Sequence, residues 1–169
     1  TAMILERRET TQSNNSFEIL STKCITQFSN NIRNNFGFLN NAKKSSPLDR
    51  DLLFMQEGRK VFKEVVPMVS QLIIDHVYEE KIKIDEIKRL WLHQANKSMN
   101  DFIGKKVLGR IPEDHEQPNI LQDYANTSSA GSIIAFSLYS EDMKSDEIGV
   151  LCSFGAGYSA GSIILKKIP

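Results

Sequence analysis

With 169 residues, 40% of them hydrophobic and 25% charged, the chain has the composition of one globular domain and neither the low apolar content nor the charge excess of a disordered protein. Its 21 basic and 21 acidic residues cancel, so nothing global points to nucleic acid or to an anionic membrane, and any anion site has to be local. No apolar run reaches the roughly 18 residues that span a bilayer and no signal-peptide succession opens the chain; with Cys24 and Cys152 lacking the spacing of a metal site or disulfide framework, the expectation is a reducing, cytoplasmic compartment.

Ala2-Met3-Ile4-Leu5 and Phe17-Glu18-Ile19-Leu20 predict two short strands joined by a polar loop. From 21 to 53 the composition turns to Asn, Ser and Lys with Phe28, Phe36 and Phe38 set among them. That mixture predicts a long Asn-rich loop anchored by its aromatics, or a flap over a pocket. Phe54, Gly58, Val61, Phe62, Val65, Val69, Leu72, Ile73 and His76 recur every three or four residues, which predicts an amphipathic helix to about Glu80 with His76 as a hydrogen-bonded core residue. Pro67 falls inside it. An interior Pro costs on the order of 3 kcal/mol, so a kink or break is expected there.

Residues 87–92 predict a buried strand, and 97–108 a helix closed by Gly109 with Pro112 beyond, so 93–96 is a strand-to-helix junction. A short extended piece at 120–121 and a polar junction at 124–129 lead into a helix over 129–139. Its first turns are small: Ala130, Gly131, Ser132 and Ala135. Gly inside a helix costs about 1 kcal/mol against Ala, so another backbone is expected to pass very near. Residues 148–152 and 162–165 predict two buried strands that close in a hairpin around the Gly-rich turn 154–157. The whole reads as a layered α/β domain with a mixed sheet flanked by helices.

His93, Asn126 and the 154–157 turn all fall where a chain leaves a sheet, and functional groups collect at such exits. Singly each is ordinary: a His after a buried strand is more often structural, Asn before Thr-Ser is a common turn, and a Gly-rich turn is usually only a turn. Together they are complementary. A neutral His and an Asn NH₂ can both donate to one oxygen as it becomes negative, and the turn amides can donate to a second. Donors without a carboxylate base suit enolate or tetrahedral-oxyanion formation, not metal binding.

His93-Gln94-Ala95-Asn96, Asn126-Thr127-Ser128-Ser129 and Phe154-Gly155-Ala156-Gly157, in this order, resemble the C-terminal half of 3-oxoacyl-acyl-carrier-protein synthase III and related thiolase-fold condensing enzymes. Gly58-Arg59-Lys60-Val61-Phe62-Lys63 resembles the family's helix beside the acyl tunnel. The 28–41 and 124–134 stretches look closer to the β-ketodecanoyl synthase subgroup. The resemblance implies a thiolase-like fold and a decarboxylative Claisen condensation of malonyl-carrier protein with an acyl thioester in fatty acid biosynthesis, by an acyltransferase without cofactor or metal. His93 and Asn126 would be catalytic and Ala156, where relatives often carry Gly, the backbone oxyanion donor. Asn96, Phe154, Gly155 and Gly157 would be supporting.

The implied partners are malonyl-acyl carrier protein, acyl-CoA or acyl-ACP, and a second copy in a homodimer. Lys97, Lys105, Lys106 and Arg110 would meet the acidic carrier, although Ser98 stands where many relatives have Arg. Residues 1–8 resemble the end of the last strand of an N-terminal half, and 9–169 the C-terminal catalytic domain. Neither Cys suits the nucleophile, which the family keeps in that N-terminal half. The expectation is therefore part of a longer enzyme, inactive alone. Two alternatives stand beside it: a non-catalytic partner half of a heterodimer, or a related enzyme of polyketide or hydroxymethylglutaryl-CoA synthase type.

Overall fold

Alternation along four strands sorts apolar side chains onto two faces of one sheet in the computed structural model, which describes residues 1–34 and 54–169. Numbered in chain order, β1 is Phe17–Thr26, β4 Ile87–Leu92, β5 Ile148–Gly155 and β6 Ser159–Lys167, and they lie in the order β1-β6-β5-β4. β5 and β6 form the antiparallel hairpin, β1 runs antiparallel to β6, and β4 runs parallel to β5, so the sheet is mixed as expected. Two three-residue strands, β2 (Ile32–Asn34) and β3 (Phe54–Gln56), pair separately.

Helices cover both faces. Leu90, Leu92, Val150, Cys152 and Ile164 point to the side of α1 (Gly58–Glu79) and α2 (Lys97–Leu108), where they share one core with Val65, Val69, Ile73 and Ile103. Trp91, Leu151 and Leu165 point to the other side and pack with Ala135 of α4 (Ala130–Leu138); between these elements lies the single turn α3 (Leu121–Tyr124). The far end of α4 is tied to β4 as well: Arg89 and Trp91 both donate to the Tyr139 carbonyl, at 2.7 and 3.0 Å, and Arg89 forks onto the Asp142 carboxylate. His76 is buried and hydrogen-bonded to Ser162 Oγ at 2.9 Å, the core role expected of it.

Several boundaries differ from the sequence reading. Ala2–Leu5 is not a strand: no segment among the described residues pairs with it, and Ile4 and Leu5 are exposed. The expected loop from 21 begins instead as strand, because β1 pairs with β6 through Thr26. Thr22 and Thr26 face solvent, while Lys23 turns towards α1 and pairs with Glu79 at 2.5 Å. Phe28 is 84% exposed and anchors nothing among the described residues, while Phe36 and Phe38 lie outside them. Phe54 belongs to β3, not to the helix. α1 runs unbroken through Pro67, which sits on the exposed side, where water can take up the Lys63 carbonyl left without its usual N–H. Residues 120–121 start a helical turn and are not extended. Among the described residues no helix is long and apolar enough to cross a membrane.

Candidate active site

β4 and β5 leave the sheet side by side, and that parallel pairing fixes His93. Its backbone N–H donates to the Cys152 carbonyl at 2.8 Å, one step past the Leu92–Cys152 register pair. The imidazole is only 7% exposed and meets the Phe154 ring edge-on at 4.9 Å. Burial pushes its pKa below the usual 6.5, an interaction with the Ser128 backbone offsets part of that, and no charged side chain among the described residues contributes. The ring is therefore neutral at pH 7. Its Nδ1 has no hydrogen-bond partner among the described residues.

Asn126 belongs to the same locality through Ser128. Its Oδ1 accepts the Ser128 N–H at 2.9 Å, an Asx turn set between two left-handed residues, Ala125 (φ 55°) and Ser128 (φ 58°). With the oxygen occupied by backbone, the NH₂ is the end of the carboxamide left to donate. Asn126 is exposed, so that donor faces outward.

The third expected element, the turn after β5, lies beside both. Phe154, Gly155 and Ala156 line an open cleft of about 350 Å³ together with Ser128, Ser129 and Cys24. Gly157 is required in that turn: its φ is 139°, and a Cβ there would come within 2.8 Å of the Ser159 nitrogen. The structure thus brings His93, the Asn126 turn and the Ala156 turn together.

Asn96 has a different duty. It is the N-cap of α2, its side chain accepting the Met99 N–H at 3.1 Å, so it holds the helix rather than the reacting groups. The expected docking cations split into two kinds. Lys97 pairs with Asp101 at 2.9 Å and Arg110 forks onto Glu116, whose carboxyl is pulled down to about 2 chiefly by that hydrogen bond. Lys105 and Lys106 are exposed and make no ion pair among the described residues. Cys152 is buried in the sheet, which pushes its thiol up to about 12, so it supplies no thiolate. Cys24 is exposed on edge strand β1, which continues past it to Thr26, so it does not sit at a helix N-terminus. No group of three or more His, Cys, Asp or Glu among the described residues is arranged to hold a metal ion.

One residue of the site had no role assigned from sequence. Gln94 is fully buried and its carboxamide donates to the carbonyls of Leu92 (2.9 Å) and Pro118 (3.4 Å) and accepts the Ile120 N–H (3.1 Å). It fastens the loop after His93 to the segment before α3. Gly131 is the close approach that the small residues of α4 predict: a Cβ there would lie 2.8 Å from Gln94 Cβ and 3.3 Å from its nitrogen. A fully buried polar residue at a strand exit was the available signal; its partners, 24 and 26 positions away, were not legible.

The sequence model of 3-oxoacyl-[acyl-carrier-protein] synthase III, C terminal, matches residues 77–167. Beta-ketodecanoyl-[acyl-carrier-protein] synthase of Pseudomonas aeruginosa is 59% identical over 167 residues, 99% of this chain and 48% of that protein. Beta-ketoacyl-[acyl-carrier-protein] synthase III of Clostridium perfringens is 33% identical over 111 residues, 64% of this chain and 33% of that one. The chain thus spans at most about half the length of these relatives. Among solved structures, 3-oxoacyl-[acyl-carrier-protein] synthase III from Aquifex aeolicus superposes with a TM-score of 0.72 at 21% identity, covering 95% of this chain and 52% of that one. The priming beta-ketosynthase of the R1128 polyketide pathway gives 0.73 at 19%, covering 89% and 45%. At such identities the likeness is one of fold, and it is the thiolase-like fold expected.

Proposed function

Because the chain belongs to the 3-oxoacyl-[acyl-carrier-protein] synthase III family, we propose that it supplies the malonyl-activating groups of a decarboxylating Claisen condensation in fatty acid biosynthesis. One arrangement carries the reading: a His93 ring kept neutral by burial, joined through Ser128 to the turn of Asn126, beside the cleft that holds Ala156.

In the proposed reaction the C–C bond to the malonyl carboxylate breaks, CO₂ leaves, and the electron pair moves into the thioester carbonyl to give an enolate. A His93 ring N–H and the Asn126 NH₂ donate to its oxygen. The enolate carbon then attacks an acyl thioester, and the new oxyanion is met by the Ala156 amide. An Ala serves as well as Gly here because the donor is backbone. Collapse of that intermediate releases the thiolate and leaves the β-ketoacyl product. Neither Cys24 nor Cys152 suits the acyl-bearing thiol, so it comes from residues outside this chain.

The relative of 59% identity is named for a β-ketodecanoyl product; the same product here would need an acyl unit two carbons shorter. Lys105 and Lys106, the cations of α2 without an ion pair among the described residues, would meet acidic acyl carrier protein. The same reading has the enzyme working in the cytoplasm as a homodimer. In the enzyme that carries this chain, His93→Ala should lower malonyl-thioester decarboxylation by at least about 100-fold, the usual cost of one oxyanion donor, while acyl transfer to the thiol persists. Near-parental decarboxylation would overturn the assignment.

A further inference from the structure

The turn that carries Ala156 is fastened through a side chain that the reaction scheme leaves unused. Tyr158 is wholly buried, yet its hydroxyl donates to Glu64 Oε2 at 2.7 Å and accepts from Asn31 Nδ2 at 3.0 Å. Asn31 Nδ2 gives its other hydrogen to the same Glu64 oxygen, at 2.9 Å. The three side chains form a closed triangle, in which the acceptor-only carboxylate receives two hydrogen bonds and the Tyr158 hydroxyl oxygen the third. Backbone bonds run parallel to this ring. Gln27 and Tyr158 exchange N–H and C=O with each other, and Ser29 donates to the Gly157 carbonyl at 2.6 Å. Three separate pieces of the fold, the segment after β1, the outer side of α1 and the hairpin turn, therefore meet at one hydroxyl.

Resting on the condensation reading above, we propose that Tyr158, Asn31 and Glu64 are positioning residues for the oxyanion donor: their closed ring fixes the direction of the Ala156 N–H, two residues upstream. The physical need is specific. A backbone donor stabilises a developing oxyanion only if it is aimed beforehand, and productive aim tolerates about 0.5 Å and 10–20°. A three-residue turn with one glycine at a positive φ does not hold that aim unaided. A side-chain ring closed on the buried Tyr158 hydroxyl at its far end does.

The test separates the two oxyanions. In the enzyme that carries this chain, Tyr158→Phe removes one oxygen atom, Glu64→Leu removes the shared acceptor, and Glu64→Gln keeps an acceptor oxygen. Acyl transfer to the thiol passes through a tetrahedral oxyanion on the same acyl carbonyl, which the same Ala156 amide would meet, so Tyr158→Phe and Glu64→Leu should slow single-turnover acyl transfer to the thiol by about tenfold or more, the usual effect of losing a hydrogen bond to a charged group. Malonyl-thioester decarboxylation, which depends on His93 and Asn126, should stay within about twofold. Glu64→Gln should recover most of what Glu64→Leu loses. Amide exchange at Gln27, Ser29 and Tyr158, whose N–H groups bridge the turn and the 27–29 segment, should rise about tenfold in Tyr158→Phe without a matching rise in β4.

Unchanged acyl transfer in Tyr158→Phe, or an equal fall of both half-reactions, would overturn the proposal, the second because it is what general loosening produces. If the parent enzyme performs neither half-reaction, the condensation reading fails by itself. Exchange then decides the ring: a rise confined to the turn and its 27–29 partner retains it as the turn's anchor, and no rise overturns it.

Discussion

Replacing Gly131 by Ala tests how the site is assembled, because it puts two known quantities in opposition. An added methyl favours α4 by about 1 kcal/mol through helix propensity. The same methyl would stand 2.8 Å from Gln94 Cβ, 3.2 Å from its Cγ and 3.3 Å from its nitrogen. Overpacking of this kind costs about 1–3 kcal/mol, with the upper end where the neighbour cannot move. Gln94 is such a neighbour: it is fully buried and bonded to Leu92, Pro118 and Ile120, and its backbone follows His93 directly. The net expectation is destabilisation by about 1–2 kcal/mol, or a Tm lower by about 3–6 °C. Urea unfolding with an unchanged m-value measures it. Gly58→Ala is the control, since no described residue lies within 4 Å of a Cβ there, and it should gain up to about 1 kcal/mol. A Gly131→Ala protein as stable as its parent would refute the claim that α4 and the His93 loop are in rigid contact.

Two further predictions concern titration. Burial holds the His93 pKa below 6.5, so below that pH the unfolded state binds more protons than the folded one, and His93 withdraws stability as pH falls from about 6.5 towards the folded value. NMR titration of the ring should give a midpoint below 6.5, and a midpoint at or above it would contradict the burial argument. For the thiols, iodoacetamide at pH 8 should label Cys24 in the native protein and spare Cys152, which burial pushes up to about 12. Mass spectrometry reads the outcome, and native labelling of Cys152 at the rate of Cys24 would show that strand β5 opens freely.

What the sequence disclosed was mostly local. The span of α2 was legible to the residue because both of its ends are written beside it: Asn96 caps the start and Gly109, at φ 70°, ends it. His93 and Asn126 were legible because donors at element junctions stand out against apolar runs. What stayed hidden depended on partners. Ala2–Leu5 has the composition of a strand and no pairing partner among the described residues, whereas Lys23 to Thr26 looks like loop and is strand because β6 lies alongside. Pro67 does not break α1, since whether a lost hydrogen bond matters depends on which side faces water. The Tyr158 hydroxyl reads from sequence as one more apolar ring in a hairpin; only the fold delivers Asn31 and Glu64 to it.

The two attachments of α4 to β4 have an implication for engineering. Gln94 meets Gly131 near one end of the helix, and Arg89 with Trp91 grips the Tyr139 carbonyl at the other. Strand and helix are thus a single cassette, although nearly forty residues of chain separate them. A chimera that imports 126–142 from a relative while keeping the host's 87–94 segment puts both contacts at risk. Recombination between such enzymes should succeed where 87–94 and 126–142 travel together.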